Sequence, residues 1–98
     1  MALIDNNAFE LLVNEAETLV LNELDKQLEA YNGDVCMCDE CLLDMAAMAM
    51  NSVTPLYRVS LLGSIYASQA MNEESYAQSV RDAVAQSIEK VRKNPSHD

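Results

Sequence analysis

An all-α fold, a small four-helix domain with a cysteine-bearing loop between its first two helices, is what this 98-residue sequence predicts. Three observations predict it. Apolar residues recur at spacings of three and four along most of the chain, which is the helical period. Only two Gly and two Pro interrupt that pattern. Half the residues are hydrophobic, enough apolar surface to offset ordering entropy and so to exclude disorder. This length predicts one domain over residues 1–98, with 1–6 and 94–98 as mobile ends.

The first helix has the clearest outline. Asn7 is placed to cap it, with Glu10 three residues later completing a capping-box pair. Phe9, Leu12, Val13, Ala16, Leu19, Val20, Leu24, Leu28 and Tyr31 draw one continuous stripe. Asn32-Gly33 supplies a left-handed stop. A second helix is expected over 40–51, capped by Asp39. It is apolar almost all round, as a helix buried on every side would be. Met45, Met48 and Met50, with Met71 beyond them, suit such a core better than an adaptable groove. Thr54-Pro55 ends it, because a residue before proline avoids the helical region. Residues 55–59 read as an extended connection. A third helix is expected over 60–71, either separate from a fourth or continuous with it across Asn72. Asn72, Glu73 and Glu74 then look like the start of a fourth, running to Lys93, where basic residues suit the C-terminal dipole. Covering a helix as apolar as the second within so small a domain favours a symmetric homodimer.

Charge narrows the choice of partners. The net charge is −10, which argues against duplex nucleic acid and anionic membrane, both of which need a basic face. Eleven acidic residues and the single base Lys26 fall in residues 1–50, whereas 51–98 balance five acids against five bases. A small anion is therefore better received by the second half. No apolar run approaches the roughly 20 residues of a membrane span, and no basic segment followed by an apolar run opens the sequence. Three cysteines within six positions do not resemble an extracellular disulfide framework. These features lead us to expect a cytoplasmic protein.

The chemically distinctive constellation is Cys36-x-Cys38-x-x-Cys41. Spacings of two and three let a turn converge three thiols, as in structural zinc sites. Cys41 opens the second helix, where the dipole favours the thiolate. Structural zinc takes four ligands, and Asp44, one turn after Cys41, is the nearest candidate for the fourth. Asp34, Asp39, water, a partner-chain group and His97 follow. Inert thiols or a Cys38–Cys41 redox pair are the alternatives. His97, the sole histidine, lies in a segment expected to fray. With no triad, no glycine-rich phosphate loop and no catalytic base near the cysteines, the expectation is a protein that is not an enzyme. Asn51, Pro55, Tyr57 and Arg58 bring an amide, a rigid turn, an aromatic ring and a guanidinium into eight residues of connecting chain, where ligand contacts concentrate. They equally suit a helix cap, a stop and packing.

Taken together, Cys36-x-Cys38-x-x-Cys41-x-x-Asp44-Met45-Ala46, then Asn51, then Pro55-x-Tyr57, resemble the late competence development protein ComFB family. Asn14-Glu15 with Val20, and Ile88-Glu89-Lys90-Val91 before Asn94-Pro95, add to the likeness. The resemblance covers roughly residues 10–95. It implies a small helical homodimer without enzymatic activity, a bound zinc on Cys36, Cys38 and Cys41, and a regulatory role as a cyclic dinucleotide receptor of the cyclic di-GMP type. Arg58 beside Tyr57 would then meet a guanine by bidentate bonding and stacking, with Arg81 adding charge. The alternative is a zinc-stapled protein-interaction module of the competence system, whose acidic first helix meets a basic protein partner.

Overall fold

The computed structural model describes residues 2–59, 65, 68–70, 72–95 and 97. Three long helices build the core: α1 over Glu15–Ala30, α2 over Asp39–Ser52 and α3 over Glu74–Lys93. The third helix expected from the sequence falls mostly outside the described residues; Ile65 and 68–70 are helical. Asn72 and Glu73 separate that segment from α3, and Glu73, not Asn72, holds the extended N-cap position.

The chain before α1 departs from the expected long first helix. Leu3–Asp5 and Asn7–Leu11 form two short 3-10 turns, the second capped by Asn6. Val13–Asn14 (β1) then pairs antiparallel with Tyr57–Arg58 (β2), Val13 opposite Arg58 and Asn14 opposite Tyr57. The fold is thus the mostly helical small domain expected, with a two-stranded ladder in addition. Asn14 explains the late helix start. Its Oδ1 accepts from the backbone N–H of Ala16 at 3.1 Å and of Leu56 at 2.8 Å. One side chain therefore caps α1 and ties it to the connection after α2. The Glu15 N–H donates to the Leu56 carbonyl at 2.9 Å beside it.

At its other end α1 stops when Tyr31 turns extended, two residues before Gly33 takes its positive φ of +137°. The Asn32-Gly33 stop expected from the sequence is thus displaced. Helix α2 starts one residue early, with Cys38 as N-cap and Asp39 inside the first turn.

The core gathers Ala16, Val20 and Leu24 from α1, Cys41, Met45 and Ala49 from α2, and Val80, Val84, Ile88 and Val91 from α3. Helix α2 packs most extensively against α3, and α1 lies across both. Buried Ser87 satisfies its hydroxyl on the Val84 carbonyl. Tyr76 donates to the Thr54 carbonyl at 2.7 Å and fixes the turn after α2. Tyr31 donates to Glu89 at 2.7 Å, and Arg92 donates to the same carboxylate, which joins the end of α1 to α3. That pairing lowers the Glu89 pKa, the Arg92 guanidinium being its first cause. One expectation fails within the single chain: α2 is not buried on every side. Leu43 is 70 % exposed and Met48 36 %; among the described residues, α1 and α3 are the helices packed against α2.

Candidate metal centre and ligand-binding face

The loop between α1 and α2 brings Cys36 and Cys38 to the start of α2, where Cys41 is buried in the first turn. Beyond α3 the chain returns to the same place, and His97 Nε2 lies 3.2 Å from Cys36 Sγ. The donor atoms of Cys36, Cys38, Cys41 and His97 all lie within 4.8 Å of one another. Tetrahedral ligands about 2.3 Å from a zinc stand roughly 3.8 Å apart, so a small contraction of this group encloses a metal ion. Three soft thiolates and one imidazole are a donor set suited to structural zinc. The residues present fit the ion.

Electrostatics favours the metal-binding form. The Cys36 thiol is lowered from 9.0 to about 6, first by the backbone N–H of Cys38, then by His97, then by the other two thiols. Donors aimed at sulfur stabilise the thiolate. Asp44, the sequence-based candidate for the fourth ligand, is not a member of this group. His97 is the donor that stands with the three thiols, although it came last among the sequence candidates because chain ends commonly fray. Its one available signal was chemical: a single imidazole in a chain with three clustered cysteines.

The second set of candidates is divided by the fold. Asn51, Pro55 and Tyr57 line one open depression of about 520 Å³, with Asn14, Glu17 and Val53. Tyr57 is 60 % exposed at its mouth. Arg58 does not line it. Successive strand residues point to opposite faces, and the Arg58 guanidinium is paired with the Glu15 carboxylate. The fold thus places Tyr57 at the depression and Arg58 against Glu15. Arg81 is likewise engaged, with Glu74 and Gln78. Asn14, from β1, and Glu17, from the first turn of α1, enter the face unforeseen: β1 has no periodic signal of its own, and Glu17 falls on the charged side of the helix. Among the described residues, no helix is long and apolar enough to cross a membrane.

The model of the family described as late competence development protein ComFB matches residues 13–95. Among solved structures, that of the late competence protein ComFB from Bacillus subtilis is similar, with a TM-score of 0.65 and 24 % sequence identity. The likeness covers 86 % of this chain and 93 % of that one. At this identity it speaks for the fold alone. Among curated proteins none matches the chain.

Proposed function

The chain belongs to the late competence development protein ComFB family, and from that membership we propose that it is a non-enzymatic regulatory module, stapled by zinc and working as a homodimeric receptor for a cyclic dinucleotide. The zinc reading rests on the convergence of Cys36, Cys38, Cys41 and His97. Thiolate ligands persist in a reducing compartment, so the protein belongs in the cytoplasm. The dimer reading is supported by the apolar edge before α1. Leu3, Ile4, Phe9 and Leu11 are all more than half exposed, and monomers rarely leave such a cluster uncovered.

The single observation that carries the receptor reading is the depression around Tyr57. Its volume lies within the range of about 300–1,000 Å³ typical of small-molecule sites. An exposed ring at the mouth offers a stacking platform for a purine. The Glu17 carboxylate in the wall is an acceptor for the amino donor that guanine carries and adenine lacks on that edge. The site thus receives a base, and the phosphates remain towards solvent. A two-fold ligand then matches a two-fold dimer.

Calorimetric titration with cyclic di-GMP and cyclic di-AMP tests this. The expected outcome is one cyclic di-GMP per dimer, preferred over cyclic di-AMP. Affinity should fall about fivefold to a hundredfold in Tyr57→Ala, since base–aromatic stacking contributes about 1–3 kcal/mol. A flat thermogram with both nucleotides ends the receptor reading.

A further inference from the structure

Helices α1 and α2 leave a groove between them on the side away from α3's share of the core. Leu21 and Leu28 on α1 face Leu42 and Leu43 on α2 across about 520 Å³. On α1 the apolar positions Leu21, Leu24 and Leu28 step by three and four; on α2 Ala46 follows Leu43 by three positions and Leu42 by four. Two parallel-sided stripes at helical spacing form a seat for a third helix. Leu21 is 48 % exposed and Leu43 70 %, so the walls are open. The groove continues towards Met37, which is 53 % exposed.

Its charge specifies the occupant. Asp25 and Asp39 stand in the walls, and Glu29 borders the extension at Met37. Among the described residues no basic side chain lines either part. A second copy joined through this groove would set the same acids against one another, since a two-fold interface repeats one patch on both sides. The exposed apolar segment before α1 is equally unsuited, because its charged residues are Asp5 and Glu10. We propose that the groove between α1 and α2 docks a cationic amphipathic helix of a partner protein, leucine-like side chains seated between the helices and Lys or Arg meeting Asp25, Glu29 and Asp39. The Tyr57 depression takes no part in this contact, so the proposal stands independently of the ligand reading.

Fluorescence anisotropy on the full-length chain tests it, with a labelled synthetic Leu/Lys peptide patterned at helical spacing as the probe. A shuffled peptide of the same composition and a patterned Leu/Glu peptide serve as controls. Only the patterned Leu/Lys peptide should bind, more weakly as salt rises. Leu43→Asn should reduce the affinity about tenfold, the equivalent of losing one partly buried leucine, and Leu21→Asn on the facing wall should do the same. Both positions are exposed, and unchanged helicity by circular dichroism confirms that the variants fold. Equal binding of the shuffled peptide, or undiminished binding to both variants, would mean bulk charge attraction and overturn the proposal. So would a dimer that becomes monomeric on Leu43→Asn, since the groove would then be occupied by a second copy.

Discussion

Cys36 is where local geometry and chemistry meet most closely. Its thiol lies near 6 instead of 9.0 because the Cys38 N–H and the His97 imidazole both address its sulfur. In protein stripped of metal, Cys36 should therefore be alkylated by iodoacetamide with a midpoint near pH 6, well below the roughly 8.5 of a free cysteine. His97→Ala removes the second cause and leaves the first, so the midpoint should rise without reaching the free value. Mass spectrometry of alkylated peptides across a pH series reads this directly. A wild-type midpoint at the free value would show that the cluster does not hold together without metal. The sign of the linked stability follows. A thiol depressed on folding contributes fully above its unfolded pKa, and that contribution is lost as pH falls through about 6. Proton competition for the thiolates releases metal in the same direction.

At the scale of elements, Asn14 governs how the helices are entered and joined. Its one carboxamide oxygen accepts from Ala16 and Leu56, so Asn14→Ala removes an N-cap and leaves the Leu56 N–H without that acceptor. Loss of a cap costs about 0.5–2 kcal/mol, and the second bond puts this substitution towards the upper end. Asn14→Asp keeps an acceptor and should be much milder; chemical denaturation of the pair checks the difference. The same residue marks where the sequence was legible and where it was not. The periodic stripes of α1, α2 and α3 placed the core correctly at Val20, Leu24, Met45, Val84 and Ile88, because burial writes a period of 3.6. Phe9 and Leu12 fell into the same spacing, yet both are exposed, since a spacing of three or four also arises in short 3-10 turns. The two-residue strands carry too few positions to show alternation. The three cysteines declared themselves by spacing. His97 could not, because its closeness to Cys36 spans sixty-one residues of sequence.

For the whole molecule the question is what the proposed zinc would add to the core shared by α1, α2 and α3. Among the described residues, twelve buried hydrophobic residues of α1, α2 and α3, with Val53 at the end of α2, form the core, and of the Cys/His group only Cys41 is among them. Zinc is therefore not expected to create the helices, as it does in a classical zinc finger. It should instead fasten two distant parts of the chain, the loop before α2 and the segment after α3. Elemental analysis of protein purified without chelator should find one zinc per chain. Chelation should lower the thermal midpoint by several degrees while leaving most far-ultraviolet helicity in place. For a domain of this size about 1 kcal/mol corresponds to roughly 4–8 °C, and a metal bound only in the folded state stabilises by mass action. His97→Ala should retain the three thiolates and bind zinc more weakly, so a lower chelator concentration should strip it. Complete loss of helicity on chelation would make zinc the organiser of the core. An unchanged midpoint, or protein without zinc, would leave the four donors as neighbours without a metal. The first result would move the staple inward to Cys41, and the second would return the loop and the tail to independent motion.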